Sequence, residues 1–488
     1  MGEDRPQPGG TATEAHALTA GAVSPGSKRR WGRRLLAGFL AAAVALLAVI
    51  GPWPADNSSY VDSDYQRRSL QTLTGASAVN VPDANLSVGV AEADISPPEG
   101  HPLAGFSGRK DKAYHGIHSR CFVRALTVEA RGVAVTVLTA DLLLINAKLA
   151  RAVLEGTGLS PGQVYFTASH THSGPGGWGD HPLEKLLGGR YDPAFFARLV
   201  DTMVAVVRRS RTALTPAELA VVSVKTLGRQ RNRLNPSAPT DDRLTALVFR
   251  RPPPVPNVPV PNAAPLAMLV VFSAHPTMFS QANHRLSADY PGELVAQLRA
   301  QTGCRTVMFA AGAVGETTVI RNKDATEEEQ ARVLGKLLAG DLCPALAGAP
   351  FERHVTLADL YVPVMMPPPR VHVSAGWTLS PVCTGWLADR QTHVHALRVG
   401  PALLVGFPGD YSGQLALRLA AEARRSGLTV IATSFNGDYK GYFVSRESFI
   451  NTWDYETRLM NFYGPWAGEY LTDIASRMLQ RLASWPDR

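Results

Sequence analysis

Val164-Tyr165-Phe166-Thr167-Ala168-Ser169-His170-Thr171-His172-Ser173-Gly174-Pro175-Gly176-Gly177 begins as a short run of apolar and small residues and ends in a run of turn formers. Val164–Ala168 reads as a β-strand, and the two imidazoles sit two residues apart at its end. In extended backbone, positions i and i+2 point the same way. Two nitrogen donors aimed into one space, followed by a turn that opens to solvent, suit a metal centre that keeps a vacant coordination position. That arrangement points to hydrolysis. A lone His-x-His also occurs as a pair of polar residues at a strand end, so the rest of the chain has to decide.

Around this stretch, strand-like and helix-like runs alternate. Ser87–Ile95 alternates apolar with small or polar residues, as a half-buried strand does, and Pro97-Pro98 ends it. Phe122–Glu129, Val133–Ala140, Leu244–Phe249, Met268–Phe272 and Ala402–Val405 read as strands. Ala147–Leu154, Phe195–Arg208, Glu293–Gln301, Glu327–Leu338 and Glu469–Leu482 have helical spacing. Arg251-Pro252-Pro253-Pro254-Val255-Pro256-Asn257-Val258-Pro259-Val260-Pro261 cannot enter a sheet and reads as an exposed polyproline excursion. No internal repeat stands out. The expectation is an α/β fold: a single large catalytic domain on a mixed sheet, preceded by a transmembrane or signal segment.

The chain has 488 residues and a formal net charge of +8, yet its body carries no long basic run, which argues against a nucleic-acid partner. The clearest basic cluster, Lys28 to Arg34, directly precedes the apolar segment Leu35–Gly51. About 17 apolar residues is near the lower limit for crossing a bilayer. A long polar leader and Trp53 after the run favour an uncleaved signal anchor over a cleaved signal peptide. The basic side would then be cytoplasmic and the body extracytoplasmic; secretion after cleavage is the alternative. The expected divisions are a mostly disordered tail over 1–34, an anchor over 35–53, a linker over 54–85 and a catalytic domain over 86–488. Cys121, Cys304, Cys343 and Cys383 have no metal-knuckle spacing, and Cys304 with Cys343 either pair or remain free thiols.

Three further elements bear on the histidine pair. Val270-Val271-Phe272-Ser273-Ala274-His275-Pro276 again places a histidine at the end of an apolar strand, and Phe407-Pro408-Gly409-Asp410 does the same for a carboxylate. Asn436-Gly437-Asp438-Tyr439-Lys440-Gly441-Tyr442 and Trp453-Asp454-Tyr455-Glu456 add tyrosines in loop-like surroundings. Taken in order, with Asn232-Arg233 and Asn235-Pro236 between them, these elements resemble the catalytic domain of the neutral ceramidase family over about residues 86–480.

The resemblance implies a zinc amidase acting on a lipid amide. It implies metal ligands at His170, His275, Asp410 and Tyr442, with Asp410 standing where the family has glutamate. It places His172, Arg233 and Tyr455 around the reacting carbonyl, with Arg231 as the alternative arginine, and Gly105 where the backbone approaches the substrate. Gly315-Glu316-Thr317-Thr318-Val319 stands where the family reads Gly-Asp-Val-Ser-Pro, so Thr318 takes the place of the family serine on a stiffer, β-branched side chain. The family's C-terminal β-sandwich is expected to be absent. A hydrolase of another amide or an ester, or a non-catalytic lipid- or envelope-binding relative, are the alternatives. Asp289 either orients a ligand or closes a turn, the turn being favoured; His393 and His395 read as surface histidines, and the oligomeric state is not legible.

Overall fold

The computed structural model describes residues 25–109, 112–254, 264–322 and 324–483. They fall into two compact units, one ending at Gly51 and the other starting at Pro52. The first, as far as it is described, is a single helix, α1 (Pro25–Ile50). Its stretch Arg30–Ile50 has 21 residues, a mean hydropathy of 2.0 and no buried residues. At 1.5 Å per residue it is about 30 Å long, enough to cross a bilayer. The helix starts before the apolar run because lysine and arginine are good helix formers. A membrane anchor and a signal segment both have this form.

The second unit begins earlier than the sequence suggests. Residues 54–85, expected as a linker, contain α2 (Asp64–Gly75) and the first half of a long strand, β1 (Val79–Asp94). Leu73 of α2 lies in the core, and Ser69 accepts a hydrogen bond from the Met365 N–H at 2.9 Å. Pro82 and Asp83 hide the strand in the sequence. They form an irregularity where the pairing register shifts, with Asp83 at φ +42°. The proline-rich excursion falls, from Val255, outside the described residues, as do most of the residues of the expected N-terminal tail.

From β1 the chain runs through β2 (Phe122–Ala130) and β3 (Val133–Ala140), joined by Arg131-Gly132. Both turn residues have positive φ, +49° and +83°, as a tight two-residue hairpin needs. Helix α3 (Ala147–Thr157), capped by the Asn146 side chain and ended by Gly158 at φ +73°, leads to β4 (Val164–Ala168). Helix α4 (Pro193–Thr212) leads to β5 (Thr215–Lys225), β6 (Arg243–Arg250) and β7 (Ala267–Phe272). Then come α5 (Asp289–Thr302), β8 (Thr306–Ala311) and α6 (Glu327–Ala347). The last part comprises β9 (His354–Met365), β10 (Gln391–Val399), β11 (Ala402–Gly406), α7 (Gly413–Ala423), β12 (Thr429–Thr433) and α8 (Ala467–Ala483).

These twelve strands make one mixed sheet in the order β8-β7-β6-β5-β1-β9-β10-β11-β12, with β2, β3 and β4 branching from β1. Pairing is antiparallel except at β3–β4, β7–β8 and β11–β12. Each parallel pair is bridged by one helix, so the fold contains three β-α-β arms that share no sequence repeat. Every residue of β4, β7, β8 and β11 is buried, which explains why β4, β7 and β11 read as largely apolar runs; β8 has no counterpart among the expected strands.

The carboxyl ends of the three arms are tied together. Ser434, after β12, donates its N–H to Ala311 O at 3.0 Å and its hydroxyl to Gly312 O at 2.7 Å. Asn436 donates from Nδ2 to Phe166 O in β4 at 2.6 Å. In open α/β sheets, the crevice at the carboxyl ends of the strands is where ligands bind.

One expectation is corrected inside this sheet, that of two surface histidines. His395 is 1% exposed and pairs with Asp359 at 2.6 Å, and His393 is only partly exposed, its ring stacked on Tyr361. They are not surface residues because β10 is paired along both edges. The four cysteines are free thiols, with no Cys304–Cys343 bridge.

Candidate metal centre

Each arm delivers one donor. His170 follows β4, His275 follows β7 and Asp410 follows β11. The extended geometry expected for the His-x-His does not hold, because β4 ends at Ala168 and His170 has a left-handed φ of +61°. Such a conformation is strained for a residue with a side chain and persists only where its surroundings fix it. Here the fixing is visible: the His170 ring stacks on Phe435 at 4.0 Å, and its Nδ1 sits 2.7 Å from Leu143 O. His275 is held the same way, with Nδ1 2.7 Å from Val314 O. A proton on each Nδ1, facing a carbonyl, leaves the Nε2 lone pair free as a ligand.

Those lone pairs converge. His170 Nε2 is 3.6 Å and His275 Nε2 3.3 Å from Asp410 Oδ1, and the Tyr442 hydroxyl is 3.1 Å from His275 Nε2. Asp410 Oδ1 is buried and has no hydrogen-bond partner among the described residues, although burying a carboxylate oxygen unpaired is costly. Bonds of about 2.0–2.1 Å to a tetrahedral ion put neighbouring donors about 3.3 Å apart, so these separations fit an ion of that kind. His170, His172 and His275 also have ring nitrogens within 4.8 Å of one another, a cluster that could hold a metal ion. His172 differs from the other two imidazoles: the residue is only partly buried, and its Nδ1 has no partner among the described residues.

Tyr442 reaches the centre through a short parallel ladder in which Asp410 pairs with Tyr442. Gly409 permits the approach, since a Cβ there would lie 2.2 Å from Gly441 O. Thr317–Val319 pairs with Gln230–Asn232, and this second small ladder carries both His275 and Arg233. His275 donates its N–H to Thr317 O at 3.0 Å, and Arg233 donates its N–H to Glu316 O at 2.8 Å. Thr318 is placed by its backbone, opposite Arg231 and bridged to His275, and its hydroxyl makes no hydrogen bond among the described residues.

Of the two candidate arginines, Arg231 is exposed, whereas Arg233 donates from Nη2 to Tyr442 OH at 3.2 Å and pairs with Glu456 at 2.5 Å. Tyr455 packs edge-on against Tyr442, with ring centres 5.6 Å apart, and remains 42% exposed at the rim. Gly105 has φ +119°, and a Cβ there would fall 2.5 Å from the Cα of His172. What that glycine admits is the backbone of His172 itself.

Burial sets the charges. It lowers His170 to about 3, against the pull of Asp410, and it holds His172 and His275 well below the usual imidazole range. Burial likewise raises the Asp410 carboxyl, with His170 opposing it. Burial works against the Arg233 charge, but Tyr442, Tyr455 and Glu456 outweigh it and the guanidinium stays protonated. The centre therefore offers neutral imidazoles beside one permanent cation.

Some partners have no assigned place in the sequence reading. Tyr439 donates its hydroxyl to Asp410 Oδ2 at 3.0 Å, orienting the carboxylate, and Phe435 stacks on His170. Arg109 is buried and donates to His172 O at 3.0 Å. Asp289 accepts the Phe279 N–H at 3.1 Å and the Met278 N–H at 3.3 Å, fixing the loop after His275. Tyr439 and Phe435 lie within or beside the Asn-x-x-Tyr-x-Gly-Tyr element, which was the available signal; nothing local marks Arg109.

The profile of the neutral/alkaline non-lysosomal ceramidase family, N-terminal part, matches residues 86–349. A neutral ceramidase of Mycobacterium tuberculosis is 29% identical over 232 residues, covering 42% of this chain and 34% of that protein. A neutral ceramidase of Pseudomonas aeruginosa is 28% identical over 224 residues, covering 42% and 32%. The chain thus spans about a third of the length of the curated relatives it matches. The crystal structure of neutral ceramidase from Pseudomonas aeruginosa superposes with a TM-score of 0.69 at 20% identity, over 82% of this chain and 75% of that one, a likeness of fold. The family match takes in His170, His172, Arg233 and His275 and extends over more than half of the sequence, and the chain belongs to the neutral/alkaline non-lysosomal ceramidase family.

Proposed function

We propose that this chain is a zinc-dependent N-acyl hydrolase that cleaves the amide of ceramide or a related lipid amide to a fatty acid and a sphingoid amine. The observation that carries the reading is the orphaned Asp410 Oδ1, buried between His170 Nε2 and His275 Nε2. In this reading His170, His275, Asp410 and Tyr442 hold the ion, Gly105, packed on the His172 backbone, and Thr318 lie along the substrate path, and the unit that starts at Pro52 is the catalytic domain. A zinc ion held there supplies a Lewis acid and a bound water that ionises near neutral pH.

The protein does the rest. The substrate carbonyl oxygen gains negative charge as the amide is attacked, and fixed donors around it stabilise that charge. Arg233 and Tyr455 are such donors, the first permanently charged and the second at the rim. His172, neutral and with its Nε2 facing the centre 3.2 Å from His170 Nε2, is placed to move a proton to the departing amine. Helix α1 is proposed as a signal anchor with its basic end in the cytoplasm and the catalytic unit outside; a secreted form after cleavage is the alternative.

The test is fatty-acid release from detergent-dispersed ceramide, with and without a zinc chelator, beside simple N-acyl amides. Chelator-sensitive release from ceramide is the expected result. Chelator-sensitive cleavage of only another amide would keep the chemistry and change the substrate; no cleavage by zinc-loaded protein would leave a lipid-binding relative.

A further inference from the structure

We propose that an exposed apolar strip on the second unit is the surface by which this protein lies on a lipid bilayer, with the mouth of the metal centre at one end of it. The inference rests on the membrane-anchored reading of α1. The strip starts where the chain enters the unit. Trp53-Pro54 pairs with Trp377-Thr378, which pairs with His372–Ser374, and together they form a small three-stranded sheet. His372 and Thr378 point inward and are buried, so by the alternation of strands Val373 and Trp377 face out, at 44% and 48% exposure. Trp53, on the outer strand, is 40% exposed.

Further exposed apolar residues lie between this sheet and the site. His372 packs edge-on against Phe449, 5.0 Å between rings, and the next residue along, Ile450, is exposed. Trp453 and Leu459 follow, 55% and 64% exposed, and between them Tyr455 packs against Tyr442 at the metal centre. Large apolar side chains gathered this way on a water-facing surface mark an interaction site.

The choice of lipid as the occupant comes from the chain itself. Only Gly51 and Pro52 separate α1 from Trp53, and the three residue steps from Ile50 to Trp53 reach no further than about 11 Å. With α1 in a bilayer, Trp53 lies at the membrane–water boundary, where tryptophan is enriched. The same strip ends at Tyr455, so a lipid amide could pass from the bilayer to the centre without crossing water.

The test uses the full chain reconstituted in phosphatidylcholine vesicles whose acyl chains are brominated, which quench tryptophan emission at the depth of the bilayer. The expected result is that the W53F, W377F, W453F triple variant loses most of the lipid-quenched emission, while W178F, removing a fully buried tryptophan, loses none of it. A triple variant that floats with the vesicles and keeps the whole quenched emission overturns this inference and leaves the anchor standing. A wild-type chain that does not float with vesicles overturns both. Shielding of these tryptophans from aqueous acrylamide in detergent, rising with protein concentration and without bromolipid quenching, would assign the strip to a second copy of the chain and also overturn the proposal.

Discussion

The chain contains two His-x-His pairs, and they have opposite fates. His393 and His395 lie inside an antiparallel strand, and each is answered by the protein: His395 by Asp359 at 2.6 Å, His393 by Asn436 at 3.2 Å. His170 and His172 lie beyond the end of a parallel strand, where a left-handed residue turns the chain, and among the described residues no hydrogen-bond donor meets the Asp410 oxygen that faces His170. Identical spacing therefore carries little chemistry by itself. What separates a structural histidine from a candidate ligand is whether the fold satisfies its outward nitrogen or leaves it facing another unsatisfied donor.

The strongest way to break this contrast is to remove one histidine from each pair. His170→Ala and His275→Ala should lose stoichiometric zinc and fall to background activity, while His393→Ala and His395→Ala keep their zinc, as read by metal analysis of the purified protein. Zinc loss in the second group would erase the distinction. Within the first pair, His172→Ala should retain zinc and lose turnover by about 10²–10⁴-fold, the usual range for an acid–base group. Loss of metal as complete as in His170→Ala would make His172 a ligand instead.

His395→Ala should cost about 3–5 kcal/mol in a urea titration, because it strands the buried Asp359 carboxylate. An unchanged midpoint would mean that the pair is not structural. A smaller effect concerns Asp289, whose carboxyl burial raises to about 6 while three backbone N–H groups oppose the rise. The folded protein then holds a proton that the unfolded chain releases near pH 4. Stability should accordingly fall as pH rises from about 4 to about 6 and be level beyond, by roughly 2–3 kcal/mol in all. Asp289→Asn should flatten that slope, which unfolding midpoints across the range would read. Last, Tyr439→Phe should weaken zinc about 10–100-fold in chelator competition, as outer hydrogen bonds to a ligand do, with the fold intact. No change in zinc affinity would mean that Asp410 is oriented without its help.

How much of this was legible follows from which interactions are local. Val133–Ala140 and Val164–Ala168 were readable to the residue, because burial along most or all of their length imposes a run of apolar and small residues. His170, His275 and Asp410 were readable because each closes such a run. The order of the sheet was not, since β1 meets β9 more than 250 residues away and its start is masked by Pro82. The αL turn at His170 leaves no local mark, because stacking on Phe435 and the bond to Leu143 O hold it there. Tyr439 was visible as a residue and invisible as a partner of Asp410, since that bond exists only once the third arm has closed.

The three β-α-β arms have a thermodynamic consequence. Each contributes a single donor, so an ion bound at their ends links segments that the sequence keeps about a hundred residues apart or more. Ligation that only the assembled state can make stabilises that state by mass action, about 2.7 kcal/mol at a hundred times the dissociation constant. Metal supply and resistance to unfolding should then rise and fall together in this protein, so that a cell short of the ion would have less folded enzyme as well as less active enzyme.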